Sequence, residues 1–384
     1  MVSILIAIIY LAFISLGLPD SLLGSAWPAM HGPLGVPLSY AGIVTMIIAG
    51  GTIVSSLMSN RLTNRLGAGM VTALSVLLTA LALFGFSVSD SFLMLCVWAV
   101  PYGLGAGAVD AALNNYAALH FSSRHMSWLH CCWGVGASVS PYIMGYALAG
   151  GFGWYSGYRW VAVLQIVLTA VLFASLPLWK RVRRDGGLAE AAPAGLGLAA
   201  AFRIRGVKLV VLAFFGYCAL ETTAGLWASS YLVNCHGLSP ETAARFASLY
   251  YLGITFGRFV TGFFADRIGD KLLIRWGIAV TIGGIALIAV PAAGGIAALL
   301  GLIIAGVGSA PIYPAIIHST PANFGEENSQ AIIGIQMASA YVGSTFMPPL
   351  FGAIAGWLSI GLYPVCLLLF AVLMLPAGRE IKPV

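Results

Sequence analysis

The sequence predicts an all-α membrane protein with twelve transmembrane helices in two pseudo-symmetric six-helix bundles. Three observations lead there. Of the 384 residues, 60% are hydrophobic and 8% are charged, where a soluble domain carries roughly 25% charged residues. The apolar runs are long, continuous and free of period-two alternation, so they are helices, which satisfy their own backbone groups in lipid. The second half of the chain also repeats features of the first at a nearly constant offset. Residues 55–67 align with 257–269, Asp20-Ser-Leu-Leu-Gly24 with Glu221-Thr-Thr-Ala-Gly225, and Gly105-Ala-Gly107 with Gly306-Val-Gly308. Val135-Gly136, Pro141 and Gly145 align with Val342-Gly343, Pro348 and Gly352. Each match is weak alone, but four in the same order point to a duplicated unit.

Taken in order, the first span covers about 4–27, near the ~20 residues a bilayer requires. Gly17, Pro19 and Asp20 interrupt it and no basic residue precedes it, which favours a first transmembrane helix over a cleaved leader. Spans follow at about 40–60, 68–88, 92–119, 126–149 and 158–179, closing an N-terminal half, 1–179. Residues 180–207 are basic at both ends and Ala/Gly-rich between, and read as a cytoplasmic linker. The C-terminal half, 208–384, holds spans at about 208–233, 243–265, 271–291, 296–318, 330–352 and 358–378.

Loop charge sets the orientation. Fifteen Lys and Arg fall in one set of loops, while the other set has Arg159 and Arg245; Arg258 lies within the eighth span. The basic side is cytoplasmic, so both termini are expected on the cytoplasmic face of the inner membrane. The formal net charge of +6 is thereby explained without a nucleic-acid partner. The six Cys show no disulfide framework and no metal-ligand spacing. No cofactor or metal is expected, and a monomer is.

Ionisable groups inside a membrane cost about 2.5 kcal/mol or more, so they mark function by default. Three carboxylates fall there: Asp20 in the first span, Asp110 in the fourth and Glu221 in the seventh. Asp20 follows Pro19, where the helix should bend. Asp110 shares a helix face with Asn114 four residues on, a polar pair suited to a hydroxyl-rich ligand. Tyr217 and Gly225 flank Glu221 at i−4 and i+4, the glycine leaving room beside the carboxylate. His130 is a candidate proton relay, and Gln336 is an amide in the middle of the eleventh span. Each has a plainer reading as an interhelix hydrogen bond or a packing residue. Arg258 is placed near the cytoplasmic end of its span, leaving no cation in the interior. Organic-acid carriers use such a cation, so the solute is expected to be a neutral polyol or sugar, or a cation. Acids that hold a proton supply coupling for either, and sodium could replace the proton.

One polar turn organises the whole. Gly262-Phe-Phe-Ala-Asp266-Arg267-Ile-Gly269-Asp-Lys271 separates the eighth and ninth spans, and Asn60-Arg-Leu-Thr-Asn64-Arg65-Leu-Gly67 is a weaker copy between the second and third. The spacing Gly-x-x-x-Asp-Arg-x-Gly-x-Lys resembles the loop motif of the major facilitator superfamily. Within it, the chain resembles the fucose/galactose/glucose:proton symporter branch. The resembling residues are Asp20, Asp110 with Asn114, Leu129-His130-Cys-Cys-Trp133-Gly134-Val-Gly136 with Pro141, and Glu221-Thr-Thr-Ala-Gly225-Leu-Trp227 with Tyr231.

The resemblance implies secondary active transport by alternating access, with a solute site between the halves near mid-membrane. It implies that Asp20 and Asp110 serve solute binding and proton transfer, although the family's fourth-helix acid is a longer Glu. It further implies a cytoplasmic latch in which Asp266 caps a helix end and pairs with Arg258 or Arg267. The first copy, with Asn64 for the acid and Asn60 for the first Gly, should matter less. The other readings are a proton-driven exporter of cationic or amphiphilic compounds, a membrane sensor and a membrane enzyme. The last lacks any nucleophile–base pair or metal cluster.

Overall fold

A computed structural model describes residues 2–37, 40–185, 196–238, 240–290 and 295–376. The described residues are almost wholly helical and include no strand. The middle of the predicted linker, 186–195, and the basic tail with Arg379 and Lys382 lie outside them.

The first span is two helices, α1 (Val2–Asp20) and α2 (Leu22–Met30). Then come α3 (Ala41–Leu66), α4 (Ala68–Ser87), α5 (Phe92–His120), α6 (Ser123–Ala149) and α7 (Trp154–Asp185). A single turn, α8 (Leu198–Ala201), precedes α9 (Val207–His236), α10 (Pro240–Ile268) and α11 (Asp270–Ile288). The tenth span is again two helices, α12 (Ile296–Ser309) and α13 (Ile312–Phe324), before α14 (Glu326–Trp357) and α15 (Tyr363–Met374). All twelve predicted spans are therefore helical.

Eight of these stretches are long and apolar enough to cross a bilayer. Helices α6, α10 and α14 are as long but less apolar, since they carry polar groups such as His130, Arg258 and Gln336. The first break is the single residue Ser21, whose backbone stays near the right-handed helical region (φ −99°, ψ −5°); Pro19 lies inside α1, one residue before its end. At the second break Pro311 separates α12 from α13, where hydropathy alone predicts one continuous span. Proline lacks the N–H of the helical ladder and its ring clashes with the carbonyl one turn back.

The two copies of the polar turn share one backbone shape. Gly67 has φ 82° and ψ 153°, and Gly269 has φ 77° and ψ 151°. Only glycine adopts this conformation without strain, which is why each copy keeps its second Gly although the rest has diverged.

Contacts divide the chain into two compact units: Met1–Tyr116 with Cys132–Leu196, and Ala117–Cys131 with Gly197–Val384. The first turns of α6, through Cys131, thus pack with the second unit while the remainder packs with the first.

In the first unit, α7 lies against α1 and α4. Gln165 on α7 binds both neighbours: Thr79 Oγ1 donates to its Oε1 at 2.9 Å, and its Nε2 donates to the Ser15 carbonyl at 2.8 Å. An apolar core around Leu22, Met30, Leu83, Phe86 and Tyr158 fills one end. In the second unit, α9 packs on α14 and α15, and α12 on α10 and α11. Trp227 Nε1 donates to the Pro348 carbonyl at 2.9 Å, and the Tyr363 hydroxyl to the Ala224 carbonyl at 2.8 Å. Such side-chain to backbone ties hold helices together where lipid supplies no hydrophobic drive.

Candidate functional site

The first polar cluster lies in the first unit, where close helix crossings place its carboxylates. A Cβ added to Gly17 would come 2.0 Å from the Trp133 carbonyl oxygen, and one added to Gly136 would come 2.0 Å from the Ile14 carbonyl oxygen. Glycine on both sides therefore lets α1 and α6 touch backbone to backbone. The crossing brings Trp133 to the end of α1, where its Nε1 donates to Asp20 Oδ2 at 3.0 Å.

On α5, Gly103 and Gly107 turn towards α3, where added Cβ atoms would meet the Ile48 and Thr52 carbonyl oxygens at 2.2 and 2.1 Å. One turn past Gly107 stands Asp110, whose Oδ1 accepts from Asn114 Nδ2 at 2.7 Å. The predicted shared face is present: Asn114 is buried and Asp110 partly so. Asp20 and Asp110 are close enough for their charges to act on one another. The structure thus brings together two carboxylates, an indole donor and an amide. Trp133 was part of the resembling run, yet its bond to Asp20 was not legible from spacing.

The second cluster lies in the second unit and corrects an expectation. Arg258 is not a residue of the cytoplasmic end paired with Asp266. It is 4% exposed, its Nη2 donates to the Tyr217 hydroxyl at 3.2 Å, and the same nitrogen lies 3.9 Å from Glu221 Oε2. Its guanidinium also stands over the Tyr313 ring, 6.0 Å from the centroid. The interior therefore does hold a cation, and the ground for expecting a neutral solute is removed.

His130 joins this cluster edge-on to Tyr313, with ring centroids 4.6 Å apart. Gly225 was expected to leave room beside Glu221, and the Tyr251 hydroxyl fills that room, 2.0 Å from where a Cβ would stand. Gln336 is fully buried but is tied to Thr320, to whose Oγ1 its Nε2 donates at 3.1 Å. That bond is one the plainer, structural reading of Gln336 also contains.

The third cluster surrounds the polar turn, also in the second unit. Asp266 pairs with Arg124 rather than with Arg258 or Arg267. Arg124 Nε lies 3.4 Å from its Oδ2, and the Arg124 backbone N–H donates to its Oδ1 at 2.9 Å. Ser122 Oγ also donates to Asp266 Oδ2, at 3.1 Å. An acid accepting N–H at the start of α6 is well placed against the helix dipole.

The next acid, Asp270, is 3% exposed. It takes Ser123 Oγ at 2.7 Å and His318 Nδ1 at 2.6 Å, while His318 Nε2 faces the Phe121 carbonyl at 3.0 Å. With Asp270 ionised, acceptors at both ring nitrogens are satisfied together only by a doubly protonated ring. Nothing in the sequence pointed to His318 or to this role for Asp270. Gly262 makes room for the same region: a Cβ there would sit 2.1 Å from Trp128 Nε1, which donates to the Phe259 carbonyl at 3.2 Å. No group of three His, Cys, Asp or Glu able to hold a metal occurs among the described residues.

The family profile described as Major Facilitator Superfamily matches residues 9–246 and 209–381. In sequence the chain is 23% identical over 278 residues to Bypass of stop codon protein 6 of Saccharomyces cerevisiae, covering 66% of this chain and 56% of that protein. The chain thus spans little more than half of the yeast protein. It is 24% identical over 345 residues to the uncharacterized transporter y4wD of Sinorhizobium fredii, 85% of each.

Among solved structures it resembles the transporter FucP in its outward conformation, with TM-score 0.77, 15% identity and 99% of each chain covered. It resembles the proton:xylose symporter XylE bound to 6-bromo-6-deoxy-D-glucose, with TM-score 0.77, 13% identity, and 98% and 95% covered. The human organic anion transporter MFSD10 aligns with TM-score 0.76 and 15% identity over 98% of each chain. At such identities these likenesses show the fold.

Proposed function

Since this chain belongs to the Major Facilitator Superfamily, a family of multi-pass membrane transporters, we propose that it is a secondary active transporter driven by protons. Its solute is small and polyhydroxylated, of the sugar class. It acts by alternating access in the cytoplasmic membrane, as a monomer with both termini cytoplasmic. The observation that carries this reading is that Asp20 and Asp110 lie within range of one another's charge, each beside a neutral hydrogen-bond donor, Trp133 and Asn114 respectively. Neutral donors let a carboxyl gain and lose a proton without stranding a partner charge. Amide, indole and carboxyl groups together also match the alternating donors and acceptors of a sugar. Two of the structural neighbours, the proton:xylose symporter XylE and the fucose:proton symporter FucP, agree with the proposal.

The cycle follows from those groups. An interior carboxyl takes a proton from the outer side and the neutral carrier binds the solute. The two halves then rock, and solute and proton leave inward. The proposal is tested with the purified chain in proteoliposomes, using a panel of sugars and amines under an imposed proton gradient. Sugar-evoked proton entry supports symport. Amine-evoked proton exchange in the opposite sense supports the exporter instead. Asp20→Asn, Asp110→Asn and Glu221→Gln are then compared. Loss of charge at the coupling carboxylate abolishes uphill uptake while solute exchange survives. If proton-driven uptake persists in all three, the mechanism is wrong.

A further inference from the structure

Arg258 and Glu221 form a second charged centre that a carrier of neutral sugars has no need of. Burying two charges costs several kcal/mol per ion, and only close, well-hydrogen-bonded geometry repays it. A purely structural pair should therefore be tight. This one is indirect: its nearest approach is 3.9 Å, beyond direct hydrogen-bond reach. Tyr217, which accepts from the same guanidinium nitrogen at 3.2 Å and is itself hydrogen-bonded to Glu221, links the two, so the guanidinium fork is not spent on the Glu221 carboxylate. An Arg is also the residue suited to a planar carboxylate, through its two-pronged fork. The wall beside it is aromatic, from Tyr217 on α9 and Tyr313 on α13.

We propose that Arg258, with Tyr217 and Tyr313, is a binding subsite for a solute carboxylate, and that Glu221 is its built-in competitor. The solute class is then a sugar acid, a polyhydroxylated monocarboxylate. This rests on the transport reading above and narrows it. Glu221 holds the guanidinium while it is ionised. When it takes a proton, the Glu221–Arg258 attraction is lost and the solute carboxylate takes its place on Arg258. The charge of the subsite is the same before and after, because one proton enters with one carboxylate. On release, Glu221 gives up the proton and pairs with Arg258 again.

The titratable and charged groups around the pair come from four helices. They are Tyr217 on α9, Tyr250 and Tyr251 on α10, Tyr313 on α13, and His130 and Cys131 on α6. Glu221 is the only acid among them.

The test measures binding of galacturonate and galactose to the full chain in detergent, by calorimetry across pH. Galacturonate should bind with uptake of one proton and weaken as pH rises. Glu221→Gln should remove both effects and bind at about pH 8 as tightly as the unaltered chain does at about pH 6. Arg258→Gln should weaken galacturonate by about a hundredfold or more, and Arg258→Lys by about tenfold, since Lys keeps the charge without the fork. Should Arg258→Gln fail to fold, judged by its thermal melt, the Glu221→Gln result decides alone. Galacturonate binding that is unchanged in Glu221→Gln overturns the subsite. So does binding and proton-driven uptake of galactose with no response to galacturonate, an outcome that leaves the transport reading intact. If neither solute binds or moves, both fail.

Discussion

Replacing Asp270 by Asn separates a charged latch from a merely polar one. In the structure His318 is clamped between Asp270 at 2.6 Å and the Phe121 carbonyl at 3.0 Å. With Asp270 ionised, both contacts are made only by the imidazolium. As pH rises and the ring loses one proton, one nitrogen is left facing an acceptor. A hydrogen bond to a charged group is worth about 1.5–3 kcal/mol, so the segment that begins α6 should loosen by about 10- to 150-fold. The sign is fixed: hold at low pH, release at high pH. Asn at 270 changes the requirement. Its carbonyl can still accept from Ser123, and its amide can donate to a neutral His318 whose Nε2–H keeps the Phe121 contact. The variant should therefore hold the segment independently of pH. Hydrogen exchange of residues 121–126, corrected for intrinsic rates and followed from about pH 6 to about pH 9, reads this directly. The unaltered chain should lose protection across that range, whereas Asp270→Asn should show a flat profile. Equal loss in both, or a neutral His318 at low pH by nitrogen NMR, would refute the reasoning.

Two further predictions concern the turn and a helix crossing. Asp266→Ala removes an exposed ion pair worth at most about 1 kcal/mol and, with it, the acceptor for the Arg124 N–H and the Ser122 hydroxyl. It should raise cysteine labelling on the side of the polar turn several-fold. Asn64→Ala loses one exposed bond to Asn60 and should leave labelling unchanged; equal changes in the two would remove the asymmetry between the copies. Gly136→Ala puts a methyl 2.0 Å from the Ile14 carbonyl oxygen. The α1–α6 crossing must then spread, at a cost of about 1–3 kcal/mol. The melting temperature should fall, and solute binding should fall with it as Trp133 leaves Asp20. A variant with an unaltered melt and unaltered binding would show that the crossing does not position the site.

Most of the fold was legible because a bilayer imposes few options. Long apolar runs must be helices, and loop charge and glycine turns punctuate them. The exceptions have local causes: Pro311 split a run that hydropathy joins, and the site helices α6, α10 and α14 were less apolar for the polar groups they carry. Of the site, Asp110 with Asn114 was legible because four residues along a helix is one face. Likewise, Gly225 beside Glu221 announced a space, though not that Tyr251 fills it.

The partners of the charges were not legible. Sequence proximity points Asp266 to an Arg on its own helix, whereas it takes Arg124 from the start of α6. Arg258 was placed at a membrane edge by its position in the run. It lies buried beside Glu221, which reverses the argument about the solute's charge.

The sequence by itself determined the twelve helices, their repeat and which residues are costly to bury. Those follow from hydropathy, helical period and backbone conformation, which act within about one turn of chain. Only the tertiary structure decided which charge meets which, as with Trp133 and Asp20, Arg258 and Glu221, or His318 and Asp270. Those contacts depend on helix crossings between segments 37 to 113 residues apart, where glycine contacts and a few ångströms of approach set the electrostatics.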